Sequence, residues 1–305
     1  MFDHDPRTTT DDERHREDVR DREHVDPRDA FVNQLELPRA REREFVHDRS
    51  RDYRLRGSES RALSLVGAFR VIPSQHLRDQ NGRTYDPHSG DLRNLRDQGL
   101  VRHVPVLGHR GGVVVLTERG KHLLDARHKD NFRTHGRDGR GAKDDGSRQQ
   151  FYAELKKPRE VEHDCQIYAA YLREAERLAE RGARVERVVL DYELKRDYQR
   201  FLQERNRGRA DSDGRPDRDK SEIEAWAAEH DLPCSDGHVS FPDARIEYLD
   251  QDDRLDHVDI EVITVHYRGA HGASAGRSGC STFRGSSART GGSAFDPDYA
   301  SEMFR

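Results

Sequence analysis

Two carboxylates in the C-terminal third of the chain are of the type that binds a divalent cation. Asp243 lies in the stretch Phe241-Pro-Asp-Ala-Arg-Ile-Glu-Tyr, and Glu261 lies in Val258-Asp-Ile-Glu-Val-Ile-Thr. A hairpin that joins these stretches would set the two carboxylates side by side. Carboxylate oxygens suit magnesium, which can activate water and stabilise a phosphorane-like transition state. Asp243 and Glu261 are therefore the candidate catalytic and metal-binding residues.

The alternation of residue types predicts which side chains accompany these acids. Side chains two residues apart on a strand share a face of the sheet. In the first stretch, Asp243, Arg245 and Glu247 are expected to share one face. In the second stretch, Asp259 and Glu261 are expected to lie opposite the apolar residues between them. The pattern thus predicts a sheet with acidic side chains gathered on one face.

These residues resemble the PD-(D/E)XK nuclease pattern, with one departure. The pattern has a lysine two residues after the glutamate, and Ile263 stands at that position. Without the lysine, the attacking water loses positioning and electrostatic help. Lys195, at the end of a predicted strand, is the candidate substitute, with His266 behind it. Glu193, two residues before Lys195, is a further candidate catalytic residue. A nuclease-like fold kept for binding is the favoured interpretation. An active magnesium-dependent DNA endonuclease and ordinary solvated acids on edge strands are the alternatives.

The elements around these acids predict a mixed helix and sheet domain. The best helical pattern in the chain covers 160–182, where Gly182 ends an amphipathic stretch. The other predicted elements are a strand at 184–194, helices at 196–204 and 221–230, and strands at 238–249 and 255–267. The fold class is α+β or α/β, and the element order resembles the restriction-endonuclease-like fold.

A second stretch, from Ser58 to Arg127, predicts a winged helix-turn-helix. Apolar residues at helical spacing follow Ser58, a short helix follows Pro73, and a third helix begins near Asp86-Pro87 and ends at Gly99. Two β-branched runs, 100–107 and 113–117, flank the glycine-rich turn 108–112 and predict a β-hairpin. A last helix starts at Glu118. This order places one helix for the DNA major groove and a wing beside the backbone.

The charge of this stretch favours double-stranded DNA as its partner. Residues 83–129 contain nine Lys/Arg and five Asp/Glu, whereas the whole chain has a formal net charge of −5. A basic region in an acidic chain is expected where phosphates bind. The candidate DNA-binding residues are Arg83, His88, Ser89, Arg93, Asn94, Arg96, Arg102, His109 and Arg110. The alternative is that the winged helix serves as a protein-interaction module.

The composition predicts ordered domains separated by disordered segments. Of the 305 residues, 37% are charged and only 32% are hydrophobic, and the mean hydropathy is −1.10. A chain this poor in apolar residues is not expected to fold throughout. The predicted division is a charged disordered tail at 1–56, the winged helix at 57–127, a flexible linker at 128–150, a nuclease-like domain at 151–284 and a flexible tail at 285–305. With no signal-like or membrane-spanning run, a cytoplasmic protein is expected.

Four segments together resemble the replication-relaxation family of bacterial plasmids and integrative elements. They begin Lys156-Lys-Pro-Arg, Val188-Val-Leu-Asp, Phe241-Pro-Asp-Ala and Ile263-Thr-Val-His, and they follow the winged helix. The resemblance covers most of the chain from Ser58 to Phe283 and implies a DNA-associated role in replication or transfer of mobile DNA. It implies nucleoid or plasmid association, and a relaxase or replication initiator as the protein partner.

Other signals are weaker. His163 and Cys165 are close in sequence, but no second pair has zinc spacing, so a helix-cap role for His163 is preferred. The glycines at 108–112 are not a phosphate-binding loop, because no Lys-Ser/Thr follows them.

Overall fold

A computed structural model describes most of the central part of the chain. The described residues are 26–48, 51–79, 81–86, 88–106, 111–128, 148–155, 160–207, 218–263 and 281–284. Several predictions lie outside them: the tail at 1–25, most of the linker, the C-terminal tail at 285–305, His109, Arg110 and His266. None of the helices within the described ranges is long and apolar enough to cross a membrane.

The segment before residue 57 is ordered from residue 26 onward, so the predicted disordered tail is wrong for the described part of 26–56. It contains two short 3-10 helices, Pro27–Asp29 and Val32–Gln34, followed by an antiparallel hairpin of β1 (Glu44–Asp48) and β2 (Arg51–Leu55). Most of its few apolar residues point inward: Phe31, Leu35, Leu37, Val46, Tyr53 and Leu55 are buried, whereas Phe45 is exposed. A segment that buries nearly every apolar side chain can fold on a neighbour despite its charged composition.

Two arginines of this segment pair with buried carboxylates of the next unit. Glu59 and Asp91 are 0% and 2% exposed. The Arg43 guanidinium donates to both oxygens of Glu59, at 2.7 to 3.2 Å, and the Arg56 guanidinium donates to Asp91. Asp91 also accepts from the Ser58 hydroxyl at 2.5 Å. A buried charge is tolerated when it is paired and hydrogen-bonded, so Arg43 and Arg56 are part of the fold.

The next unit follows the predicted order with one added strand. Its elements are α1 (Gly57–Phe69), β3 (Val71–Pro73), a 3-10 turn at Ser74–His76, α2 (Gly90–Asp97), β4 (Val101–Val104), β5 (Val113–Leu116) and α3 (Glu118–Ala126). Strands β3, β5 and β4 form an antiparallel sheet in that order, with β5 in the centre. Helix α1 ends at Phe69, four residues before Pro73, because Arg70 adopts a positive φ of 63° and the chain turns into β3.

The C-terminal unit combines helices with a four-stranded mixed sheet. Its elements are α4 (Val161–Glu180), β6 (Arg184–Leu190), α5 (Asp191–Gln203), α6 (Lys220–Glu229), β7 (Cys234–Ser235), β8 (His238–Val239), β9 (Ala244–Leu249), β10 (Leu255–Ile263) and β11 (Ser281–Arg284). The sheet order is β11-β10-β9-β6; β9 is antiparallel to both neighbours, and β10 is parallel to β11.

The predicted strand at 184–194 is too long, and Lys195 does not lie at a strand end. The strand stops at Leu190, and residues 191–203 are helical. Asp191 and Glu193 occupy the first turn of α5, where the positive end of the helix dipole favours carboxylates. Their alternation with Tyr192 and Leu194 imitates a strand, but it belongs to a helix that buries Leu194 and Leu202.

One hydrophobic core joins the two predicted domains. Phe31 from the N-terminal segment, Phe69 from α1 and Tyr168 and Tyr171 from α4 form a cluster of aromatic rings with centroids 4.6 to 6.3 Å apart. The Tyr171 hydroxyl donates to the Pro27 carbonyl at 2.8 Å. Helix α4, predicted as the first helix of a separate domain, therefore packs directly on the N-terminal unit.

The described end of the predicted linker, 148–155, connects both units. The buried Gln149 side chain donates to the Val188 carbonyl at 3.0 Å and accepts from the Val188 N–H at 2.8 Å, which pairs an edge position of β6. The Tyr152 N–H donates to the Gly67 carbonyl at the other side, at 2.8 Å. These residues are ordered because they satisfy backbone groups of both units.

Candidate functional site

Asp243 lies at the entrance to β9 and is held on two sides. Its Oδ2 accepts from the Val262 N–H of β10 at 2.8 Å, and its own carbonyl accepts from the Asp191 N–H at 3.1 Å. These bonds connect the start of β9 to β10 and to the first residue of α5. The carboxylate therefore has a fixed position where three elements of the C-terminal unit meet.

His163 contacts the other oxygen of Asp243. Its Nε2 lies 3.1 Å from Asp243 Oδ1. His163 is the third residue of α4 and not its cap, which is Glu160, so the preferred helix-cap role is wrong. Burial lowers the pKa of His163, but the contact with Asp243 and the nearby charges of Asp164 and Asp191 together raise it above the ordinary value. The histidine is thus part of the acidic site.

Glu261 is the second carboxylate of the site. Burial, and then repulsion from Asp243, raise the pKa of Glu261 to about 7. The positive charges of His163 and Lys195 act in the opposite direction. Ile260 is paired with Ala244 and the Val262 N–H donates to Asp243, so the register of β9 and β10 sets Glu261 beside Asp243.

Asp259 takes no part in this site. Its two oxygens accept from the Arg245 guanidinium at 2.7 and 2.9 Å, and Arg245 also donates to the carbonyls of His230 and Asp231. This bidentate pair is nearly buried on both sides. Arg245 and Asp259 are direct neighbours across β9 and β10, so their charges neutralise each other within the sheet.

Lys195 and Glu193, the two candidate catalytic residues on α5, lie in different surroundings. Lys195 Nζ donates to Asp191 Oδ2 at 2.6 Å on the surface of α5, and its charge reaches Glu261 only through space. Glu193 is buried elsewhere: it accepts from the Tyr152 hydroxyl and lies 4.0 Å from the Arg187 guanidinium. Burial raises the pKa of Glu193. The expected role of Glu193 in catalysis is therefore not supported by its position.

The residues of this site do not fit a preformed magnesium centre. Throughout the part of the chain that the structure describes, no group of three or more His, Cys, Asp or Glu side chains is arranged to hold a metal ion. Both oxygens of Asp243 already engage nitrogen atoms of His163 and Val262. What the site offers by itself is proton transfer by its own side chains.

Asp243 and His163 open into a cavity between the two units, which we call the cleft. It has a volume of about 920 Å³. Helix α3 contributes Lys121 and Asp125, the start of α4 contributes His163 and Asp164, and α5 contributes Asp191, Tyr192, Lys195 and Arg196; Arg70, Arg148 and Asp243 also line it. The Asp164 carboxyl is 6% exposed and lies 3.8 Å from Arg70, and burial raises its pKa to about 6.

Most of the predicted DNA-binding residues within the described ranges are exposed to solvent. Arg83, His88, Ser89, Arg93 and Arg96 are exposed. Arg93 is 65% exposed and meets Asp97 at 3.5 Å, a surface pair one helical turn apart. Such exposed pairs contribute little, so a phosphate can replace the carboxylate.

Two of the predicted DNA contacts are engaged within the protein. The Asn94 amide donates to the Arg54 carbonyl at 3.0 Å and to Glu59 at 2.9 Å, so this residue positions β2 and is not available to DNA. Arg102 on β4 pairs with Glu154 at 2.6 Å. The amide of Asn94 is bonded to β2, which belongs to the segment predicted to be disordered, so no pattern in the sequence indicates this contact.

Comparisons with protein-family models, with curated proteins and with solved structures find no match to this chain. The function is therefore inferred from the geometry and from the sequence resemblance described above.

Proposed function

We propose that the chain binds duplex DNA through α2, as a protein associated with replication or transfer of a bacterial mobile element. The observation that carries this proposal is the exposed basic face of α2, which presents Arg93 and Arg96 while Leu92 and Leu95 are buried. The three-stranded sheet beside it, with a hairpin of β4 and β5, supports a winged helix-turn-helix arrangement. Ser89 and His88 at the start of α2 are further exposed polar groups for the groove or the backbone.

The network beneath α2 supports the same role. Asp91 on the inner face of α2 accepts from Ser58, Arg56 and Tyr85, which belong to α1, the segment before it and the loop before α2. The Gln98 and Asn94 amides bond to the backbone of Arg54 in β2. A recognition helix held on its inner face by charged and amide hydrogen bonds is positioned before DNA arrives, which reduces the entropy cost of binding.

Replacing Arg93 and Arg96 together by Ala is expected to weaken binding of duplex DNA about tenfold at low salt and to reduce the slope of log K against log [salt] by about two, one per lost phosphate contact. Fluorescence anisotropy with a labelled duplex over a salt series measures both quantities. Arg200→Ala is the matched control, since Arg200 is an exposed arginine 3.5 Å from Asp197 on α5. Undetectable duplex binding by the unmodified chain at low salt would contradict the proposal and favour a protein-interaction role, for example with a relaxase or replication initiator.

We also propose a second function, hydrolysis of phosphodiester bonds at Asp243, His163 and Glu261. The observation that favours it is the contact of His163 Nε2 with Asp243 Oδ1, at 3.1 Å, where both residues line the cleft. Glu261 is next in register to Asp243 across β9 and β10, and burial raises its pKa to about 7. A group that is half protonated near neutral pH can donate or accept a proton during a reaction. His163, oriented by Asp243, is the candidate base for a water molecule, and protonated Glu261 is the candidate acid for the leaving oxygen.

His163→Gln is expected to lower any cleavage of plasmid DNA by about a hundredfold or more, the usual contribution of a general acid or base. Asp243→Asn is expected to act in the same direction, because it removes the charge that orients His163. The assay follows nicking of supercoiled plasmid, with Asp252→Asn, an exposed acid of the β9–β10 turn, as the control. Cleavage that survives Asp243→Asn would place the activity elsewhere. Cleavage abolished by a chelator and restored by magnesium would contradict the metal-free route.

A further inference from the structure

We propose that one edge of β10, over residues 255–259, docks a basic extended segment of a partner protein, which adds to the sheet as a further strand. On one side β9 pairs with β10 from Leu255 to Ile260, whereas on the other side β11 pairs with it only from Ile260 to Ile263. Within the residues that the structure describes, no strand therefore pairs with the second side of β10 before Ile260. An unpaired edge presents backbone N–H and C=O groups to which an extended peptide can bond.

A groove of about 710 Å³ lies at this edge, because its lining includes every residue from 255 to 259. The other lining residues belong to the end of α6, to the turn after it and to β9: Glu229, His230, Asp231, Pro233, Arg245 and Glu247. Leu255, the first residue of β10, is 68% exposed and lines the same groove. The groove thus places an exposed apolar side chain beside the open strand edge.

The charge around the groove favours a basic partner. Residues 218–263 contain fourteen Asp/Glu and only four Lys/Arg. The four cations already lie 2.6 to 3.7 Å from a carboxylate: Arg218, Lys220, Arg245 and Arg254. By contrast, Glu229, Asp231 and Asp256 line the groove and, among the described residues, form no ion pair with Lys or Arg. These three carboxylates are complementary to a segment rich in lysine or arginine.

Asp256 also restricts which strand can pair with this edge. Its Oδ1 accepts from the His257 N–H at 2.7 Å, and its Oδ2 accepts from the Tyr248 hydroxyl at 3.1 Å. A charged side chain at a strand edge opposes pairing with acidic or uncharged strands. A lysine or arginine beside Asp256 can pair with this carboxylate and free the His257 N–H for the added strand. The edge therefore discriminates in favour of a basic segment.

Fluorescence anisotropy with a labelled peptide of alternating lysine and valine, about eight residues long, tests the docking site, since a strand of that length covers the open edge. Glu229→Gln with Asp231→Asn is expected to weaken binding about fivefold at low salt, because two exposed charge contacts are lost. The matched control is Glu176→Gln with Glu180→Gln, which removes two exposed acids of α4 outside the groove lining. Duplex affinity is expected to be the same in both double variants, so this inference is independent of the role of α2.

A second peptide, with the same side chains but with every backbone N–H methylated, separates strand addition from simple charge attraction. Its affinity is expected to be about tenfold lower or less, because it cannot donate hydrogen bonds to β10. Amide hydrogen exchange at residues 255–259 is expected to slow when the unmethylated peptide binds. Equal affinity of the two peptides, equal effects of the two double variants, or no peptide binding at low salt would overturn the docking site. Self-association of the chain that Leu255→Asp removes would assign the edge to a second copy and overturn it as well.

Discussion

Arg43→Ala is expected to destabilise the protein by about 3 kcal/mol, because it leaves the fully buried carboxylate of Glu59 without its guanidinium partner. Arg43 donates three hydrogen bonds to Glu59, and the contact raises the pKa of Arg43. The Arg56 N–H and the Asn94 amide still donate to Glu59 in the variant, which keeps the expected loss at the lower end of the range for a broken buried pair. Urea unfolding followed by circular dichroism measures the change.

The control for this variant is Arg41→Ala, two residues earlier. Arg41 is exposed in the same loop, and a surface substitution of this kind is expected to change stability by about 0.5 kcal/mol or less. The double variant Arg43→Met with Glu59→Gln removes both charges and is expected to recover much of the loss. If Arg43→Ala and Arg41→Ala had equal effects, the segment before residue 57 would not be coupled to α1 in the way described.

Patterns that are local in sequence predict most elements of the N-terminal unit. The predicted helix after Ser58, the β-hairpin and the helix at Glu118 all occur, because their apolar spacing is determined within one or two turns. Strand β3 was missed because only three residues, 71–73, form it, and it pairs with the distant β5. A short strand has too few residues for its alternation to be recognised.

The composition of the segment before residue 57 does not predict that its described part is folded. Its stability depends on where its few apolar residues point and on which acids its arginines meet. Glu59 and Asp91 lie 16 and 35 residues after Arg43 and Arg56, respectively. No spacing rule connects charges that far apart, and a mixed-charge composition is equally typical of a solvated tail. The arginines have a structural role that becomes visible only when the buried carboxylates are located.

The site shows the same division between local and distant information. Strand alternation placed Asp243 and Glu261 together, since β9 and β10 are consecutive and antiparallel. His163 was missed as a partner because it is 80 residues from Asp243 in sequence. The alternation of charged and apolar residues at 191–195 predicts a strand that ends at Lys195, but α5 begins at Asp191. A carboxylate in the first turn of a helix can imitate an alternating strand.

Glu261→Gln is expected to stabilise the protein at pH 8 and to have little effect at pH 4.5. The pKa of Glu261 is raised from 4.5 to about 7, so between these values the native protein holds a proton that the unfolded chain has lost. The contribution of this group to stability therefore falls as the pH rises through that window. The amide does not ionise, and because Glu261 is partly exposed and solvent screens its charge, the expected gain at pH 8 is about 1–2 kcal/mol. Urea unfolding at the two pH values measures it.

The comparison between the two pH values separates ionisation from packing. Asp164 also has a raised pKa, but it is present in both proteins and cancels in the difference. Asp252→Asn, in the exposed turn between β9 and β10, is expected to change stability equally and slightly at both pH values. If Glu261→Gln shifted stability by the same amount at pH 4.5 and pH 8, its effect would come from lost hydrogen bonds or altered packing. Burial and the repulsion between Asp243 and Glu261 would then not raise the pKa of Glu261, and its proposed role as the acid would lose its physical basis.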